Sequence, residues 1–513
     1  MVGLNVYGRY FPFAMYLKSG LAHLFCPLLK MRIKFIQRFK MLFRHLQACF
    51  AWGFFGLVLS GAALAQTQIG DDLIGESEGD LFGSSVALSA DGNRMVVGSI
   101  SNSDASMGSG QVQVFENVSG DWVQLGQDIN GTGVNSTLGR DVAISSDGTI
   151  IAVGADGFDD DDNTATGTGK VCVFELSNGS WVQLGQELLG SENGNRLFGN
   201  EVCLSSDGSI LAVGAPAGAT GSASVYQNQG GTWVQLGDDI NGNASELFGN
   251  GLALSAEGTR LAIGGDGFTG GGVLRVFDFD SLADNWTQVG QTVVGMDNDR
   301  IGGNVDISDD GSIVAVSAGG NEDVAVGSGA VRVYRDTGGT WAQIGDDLDG
   351  TLLKRFGSSL SLSSDGSIIA VGAFGDGMPA IGFGVPPEGP CERIFRNEND
   401  SWVELALISG EPGSFFGLQS HISSDSLTLA VGAQSFDGDG FNRGLVRVFD
   451  LSDLFDIVHG DVNQDGLVNF FDIQPFIGVL ADGEFQAEAD CDGNGAVDFF
   501  DIAPFIAVLA AGQ

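Results

Sequence analysis

"SLSSDGSIIAVGAF", residues 361–374, is an apolar run, a Ser-x-Asp-Gly turn and a second apolar run. Two short apolar runs about an Asp-Gly turn predict a β-hairpin, because the turn needs a positive-φ residue and glycine supplies it at little cost. Nearly the same phrase recurs as "AISSDGTIIAVGAD" (143–156), "CLSSDGSILAVGAP" (203–216) and "ALSAEGTRLAIGGD" (253–266). "ALSADGNRMVVGSI" (87–100), "DISDDGSIVAVSAG" (306–319) and "HISSDSLTLAVGAQ" (421–434) complete a set of seven. Repetition at this period marks a propeller or solenoid.

Each unit holds four strand-like pieces. In the sixth they are "RFGSSLSLS" (355–363), "SIIAVGAF" (367–374), "CERIFRN" (391–397) and "SWVELAL" (401–407). Short antiparallel strands in fours, seven times over, fit an all-β seven-bladed β-propeller, which hides its sheet edges by radial repetition. The outer piece of most units reads Trp-x-Gln-x-Gly, as in "WVQLG" at 122–126 and 181–185. The last unit lacks that Trp, whereas "QTQIGDDLIG" near the start of the chain matches the end of an outer piece. Residues just after position 65 are therefore expected to close the last blade. Trp122, Trp181, Trp233, Trp286, Trp341 and Trp402 occupy one place in the repeat, which predicts packing between blades rather than sugar stacking.

Phe82-Gly83, Phe198-Gly199, Phe248-Gly249, Phe356-Gly357 and Phe416-Gly417, with the "AVGA" stretches, resemble FG-GAP repeats, the propeller repeats of integrin α-subunits and many bacterial exported proteins. Leu138-Gly139 and Ile301-Gly302 are looser copies. Calcium-binding units of that family carry an Asp/Asn-rich loop between the first two strands. Here the loop shrinks to Ser-x-Asp-Gly, and one carboxylate falls short of the six to eight oxygens that calcium takes, so no calcium is expected there.

Charge separates the first 65 residues from the rest. They hold eight Lys or Arg and no acid, and "ACFAWGFFGLVLSGAALA" runs into Ala63-Leu64-Ala65. Basic stretch, apolar run and small-residue end are the parts of a secretory signal, so residues 1–65 are read as a leader cleaved after Ala65, with a membrane anchor as the alternative. The chain carries 65 acidic and 23 basic residues, and the portion after the leader keeps 15 basic ones, a formal charge of −50. Such a surface repels nucleic acid and anionic membranes, and the leader is what places the protein outside the cytoplasm, secreted or at the cell surface. The cysteine spacing identifies no disulfide pair, and the acidic run Asp156 to Asp162 reads as a solvated loop.

One position of the innermost strand, two before the turn Ser, changes character around the ring. It is small at Ala87, Ala143, Cys203 and Ala253, and becomes Asp306, Ser361 and His421 in blades 5, 6 and 7. The trio is a possible polar cluster in the channel. Equivalent points on neighbouring blades need not come within the ~3 Å of a nucleophile–base pair, so no catalytic residue is assigned and an inter-blade contact is the expected role. Two His and two Tyr after the leader leave little else for acid–base work, although 65 acids offer many carboxylate pairs of the glycoside-hydrolase kind.

Period and composition change after residue 455. "DVNQDGLVNFFDIQPFIGVLA" (461–481) and "DCDGNGAVDFFDIAPFIAVLA" (490–510) are two copies of one unit. Asp461, Asn463, Asp465, Leu467, Asn469 and Asp472 fall at positions 1, 3, 5, 7, 9 and 12 of an EF-hand-type loop, with Gly466 at the turn. Asp490, Asp492, Asn494, Ala496, Asp498 and Asp501 repeat the set around Gly495. Oxygen ligands at alternate positions around a glycine wrap a hard cation, so two calcium ions are expected as cofactors. Duplicated loops, each followed by one helix, resemble a dockerin type I domain, and residues 456–513 are read as a small α-helical module of that kind. The resemblance implies a cohesin-like protein partner contacted through positions 10 and 11, here Phe470, Phe471, Phe499 and Phe500 instead of the usual polar pairs.

The reading is thus a leader (1–65), a propeller (66–455) and a calcium-loop module (456–513), serving non-catalytic binding or assembly. Two alternatives stand: a polysaccharide-degrading hydrolase or lyase recruited through its dockerin, and a cell-surface adhesion protein.

Overall fold

The computed structural model describes residues 66–159, 167–190, 197–267, 270–375, 389–438 and 441–455. The leader 1–65 and the module 456–513, with every calcium-loop position and both Phe pairs, lie outside the described residues, as do Asp160 to Asp162. The fold is an all-β ring of seven antiparallel sheets. Blade 1 consists of Phe82–Leu88, Arg94–Ser99, Gln111–Val118 and Asp121–Gln124, running from the channel outward, and blades 2 to 6 repeat that order. In blade 7 the strands Gln419–Ile422, Thr428–Ala433 and Leu445–Asp450 take their outermost partner from the other end of the chain. Thr67 pairs with Asp450 and Gln68 with Phe449. This is the closure expected from "QTQIG".

The two faces of each sheet bury apolar residues against the blades on either side. Val86 and Leu88 pack against Ala430, Val446 and Val448 of blade 7. Ala87, Val96, Val112 and Val114 pack the other way, against Val142, Ile151 and Val153 of blade 2. Strand alternation puts successive side chains on opposite faces, and radial repetition buries both, so the second strands read as near-continuous apolar runs.

The Phe-Gly pair is the joint between neighbouring blades. The residue before each Phe, or before Leu138 or Ile301 in its place (Leu81, Thr137, Leu197, Leu247, Arg300, Arg355, Phe415), is left-handed, with φ between 49° and 58°. This turns the chain so that the next N–H reaches back to the previous blade, as from Leu138 to the Ser109 carbonyl at 2.9 Å and from Phe356 to that of Ser328 at 2.8 Å. The Phe ring then meets an aromatic of its own third strand edge to face: Phe82 on Phe115 at 6.1 Å, Phe248 on Phe277 at 6.4 Å, Phe416 on Phe449 at 6.3 Å between centroids. The following glycine has φ between 76° and 95°. A Cβ there would lie 2.3–3.1 Å from a third-strand carbonyl of the preceding blade, so the close approach requires glycine.

The outer Trp residues also join blades, as expected. Trp181 Nε1 donates to Leu125 O at 2.9 Å, Trp233 to Leu184 O at 2.9 Å and Trp341 to Val289 O at 3.1 Å, each on or one residue past the preceding outer strand. Trp122 stitches blade 1 to Ile69 of the closing segment at 3.2 Å.

Candidate functional site: the channel and its arginine-lined mouth

The seven innermost strands enclose a channel of ≈ 230 Å³ that gathers Asp306, Ser361 and His421. At its turn end the Ser-x-Asp-Gly loops form a hydrogen-bonded ring. Ala90 N donates to Ser146 O at 3.1 Å, Ser146 to Ser206 at 2.9 Å, Ser206 to Ala256 at 2.9 Å, Ala256 to Asp309 at 3.0 Å and Asp309 to Ser364 at 2.8 Å. Ser364 Oγ continues to Ser424 O at 2.8 Å, and Asp425 N returns to Ala90 O at 3.3 Å. Within most loops the Asp carboxylate accepts from the turn Ser hydroxyl and a backbone N–H two residues on, as Asp365 does from Ser363 at 2.7 Å and Ser367 at 2.9 Å. These carboxylates serve as turn clasps.

The innermost strand is an edge strand, and half of its N–H groups point away from its only ladder partner. The trio satisfies three of them across blade boundaries. Asp306 Oδ2 accepts from Leu362 N at 2.7 Å, while its Oδ1 takes Ile307 N at 2.8 Å. Ser361 Oγ accepts from Ile422 N at 3.1 Å, and His421 Nδ1 from Leu88 N at 3.3 Å. Asp, Ser and His thus latch blade 5 to 6, 6 to 7 and 7 to 1. Among the described residues no hydrogen bond joins the three side chains to one another, and no three His, Cys, Asp or Glu side chains are grouped to hold a metal ion. Burial pushes the Asp306 carboxyl up to about 6, against its two N–H partners. Burial pulls His421 down to about 4, so its imidazole is neutral at pH 7.

A second tier lies one step toward the opposite mouth. Ser85 Oγ donates to Gly139 O at 2.9 Å, Asp141 Oδ2 accepts from Val202 N at 2.7 Å, and Asn304 Nδ2 donates to Gly357 O at 2.9 Å. Burial raises the Asp141 carboxyl, and burial together with the Asp141 charge raises Glu201 well above the ordinary carboxylate range.

Beyond this tier the channel opens into a cavity of ≈ 310 Å³ whose lining includes Arg140, Arg300 and Arg355. A relay of side chains runs along its rim. Arg140 lies 3.3 Å from Asp156 and donates to Asn200 Oδ1 at 3.3 Å; Asn200 Nδ2 donates to Asn250 at 3.4 Å; Asn250 Nδ2 donates to Asp266 at 3.3 Å. Arg300 meets the other Asp266 oxygen at 2.8 Å. Arg355 lies over the Phe374 ring at 5.4 Å. Sequence reading missed these arginines, because Arg140 follows its Phe-Gly equivalent while Arg300 and Arg355 precede theirs. The available signal was their rarity, since only 15 basic residues follow the leader.

Residues 75–115 match the FG-GAP repeat family model. That stretch covers the first two strands of blade 1 and most of the third. No curated protein matches the chain. Similar solved structures include a putative 6-phosphogluconolactonase from Bacteroides uniformis, 13% identical over 67% of this chain and 90% of that one, with a TM-score of 0.48. A protein from Lactobacillus plantarum is 15% identical over 66% and 86%, TM-score 0.46. The periplasmic gluconolactonase of Pseudomonas aeruginosa is 16% identical over 64% and 86%, TM-score 0.43. Likenesses this distant carry no argument about chemistry.

Proposed function

We propose that the chain is an exported binding and assembly protein, with the propeller presenting a ligand or partner face and residues 456–513 docking it elsewhere through two calcium loops. One observation carries the binding half: the polar side chains of the trio are spent on backbone N–H groups. Ser361 Oγ and His421 Nδ1 each face the next blade, at 3.1 Å and 3.3 Å, and that arrangement favours ring closure over nucleophilic attack. Export is supported by where the ring begins. Its first paired residue, Thr67, stands two positions after the Ala65 cleavage site, so the chain left after cleavage contains every strand of the propeller.

The test is a panel of polysaccharides and soluble sugars titrated into the full chain, with chromatography of the products. Saturable binding without turnover supports the reading; release of shortened sugars would replace it with the hydrolase or lyase alternative. For the docking half, titration calorimetry should show two calcium ions bound per chain, and Asp461→Ala with Asp490→Ala should abolish both. Calcium binding that survives the double substitution would overturn it.

A further inference from the structure

Three ties recur at six of the seven blade boundaries, and among the described residues the boundary between blades 6 and 7 lacks all three. The first is the outer Trp. The six from Trp122 to Trp402 each bond across the boundary behind their own blade, and blade 7 has no Trp. The second is the Phe-Gly joint. Phe82, Leu138, Phe198, Phe248, Ile301 and Phe356 donate their N–H to a carbonyl of the preceding blade at 2.8–3.3 Å. Phe416 is the exception, its N–H turning to Ser414 Oγ on its own side. The third is the turn ring, which runs from backbone N–H to backbone carbonyl except between blades 6 and 7, where the Ser364 hydroxyl makes the link. One residue accounts for the lost joint. The position before the third strand is Gly110, Gly169, Gly221, Gly272, Gly329 or Gly444 in the other blades, and a Cβ on any of them would collide with the backbone of the next blade's Phe, Leu or Ile. In blade 6 that position is Pro390, whose Cβ holds Phe416 away.

Hydroxyl groups cross this boundary instead. Ser358 Oγ donates to the Gly417 carbonyl at 2.8 Å, and Ser359 Oγ does so at 3.1 Å while lying 2.9 Å from Ser420 Oγ. Ser420 in turn donates to Glu392, whose Oε2 is buried beside them without a partner. Leu454 and Phe455 pack, partly buried, against the apolar cluster of the same boundary, and the chain continues from there into residues 456–513. We infer that the propeller opens reversibly between blades 6 and 7, turning about the connection 410–418 and parting the channel wall between Phe356–Leu362 and Gln419–Ile422. Local opening follows the line that breaks the fewest ties, and short connections of this kind absorb the rotation. Blade 7 stays with blade 1, because Trp122 Nε1, Phe82 N and Asp425 N all bridge that boundary. The channel thereby gains an entrance from the side, at Ser361. This goes beyond the binding reading above and does not depend on it.

Hydrogen exchange on the full chain, resolved to single residues by fragmentation mass spectrometry, tests this. The inner-strand N–H groups that bond across a boundary are the reporters: Leu88 between blades 7 and 1, Val202 between 2 and 3, Leu362 between 5 and 6, and Ile422 between 6 and 7. In native buffer Ile422 should exchange at least about tenfold faster than the other three. Labelling with iodoacetamide gives a second reading, independent of what accepts each N–H. Ser420→Cys, Leu360→Cys and Val202→Cys place a thiol at one repeat position on the boundaries 6 to 7, 5 to 6 and 2 to 3, where the native side chains belong to residues 7%, 9% and 4% exposed. The thiol of Ser420→Cys should react at least about tenfold faster than the other two. Equal exchange at the four N–H groups, or equal labelling of the three thiols, would overturn the inference. Should a cysteine variant fail to fold, the exchange measurement on the parent chain decides alone.

Discussion

Ser420 Oγ donates to Glu392 Oε1 at 2.7 Å across the boundary between blades 6 and 7. In the other six blades the position of Glu392 holds Val112, Val171, Ala223, Leu274, Val331 or Val446, and that of Ser420 holds Val or Leu. The second carboxylate oxygen, Oε2, is buried without a partner. Burial raises the Glu392 carboxyl to about 8. The folded state therefore keeps a proton that the unfolded chain gives up near its ordinary 4.5, and stability falls as pH rises between those values. Glu392→Val with Ser420→Val should raise the melting temperature, more at pH 8 than at pH 5, by the equivalent of about 1–4 kcal/mol. A variant equal to or below the parent at pH 8 would contradict the buried-proton account.

Asp306 holds two N–H groups, one in its own blade and one in the next. Asp306→Ala leaves both unpartnered in the channel wall and should cost roughly 1–3 kcal/mol for each, read from the urea midpoint. Asp306→Asn keeps one acceptor oxygen and should lose about half as much. An alanine variant of parental stability would mean that water replaces the latch.

His421 gives a pH signature of opposite sign. Its folded value of about 4 lies below the ordinary 6.5, so the unfolded chain takes up a proton first. Stability falls as pH drops from 6.5 toward 4. In His421→Asn, with an acceptor and no titrating group, the gap to the parent should narrow over that range in melting scans. A constant gap between pH 7 and pH 4.5 would show that His421 titrates alike in both states.

Deleting residues 66–71 removes the ladder from Thr67 and Gln68 to Asp450 and Phe449, together with the Ile69 carbonyl that Trp122 binds at 3.2 Å. Backbone amides of Leu445–Asp450 should then exchange with solvent much faster, and the whole ring should melt at a lower temperature. Unaltered protection of that strand would assign the closing role to another segment.

The hairpin phrase, the Trp series and the missing last outer strand made the ring legible, because each is a local pattern repeated at equal spacing. The role of Asp306, Ser361 and His421 was legible as a contact and not as its partners, since sequence does not say which N–H of an edge strand lies opposite. Glu392 stands where the other blades hold Val, Ala or Leu, a signal that the reading of the sequence did not take up. Its meaning needed Ser420, 28 residues away. The arginine mouth was not legible, because Arg140 shares the cavity with Arg300 and Arg355 without sharing their repeat position.

Joining the first strand to the last also fixes an order of events during synthesis. Thr67 emerges early, and its partner Asp450 is among the final described residues to be made. At ribosomal speeds the interval is on the order of tens of seconds. Through that time the amino-terminal segment has no sheet to join. A chain of this design stays an open arc until its last blade is delivered, because the sheet that receives its first strand is the last one made.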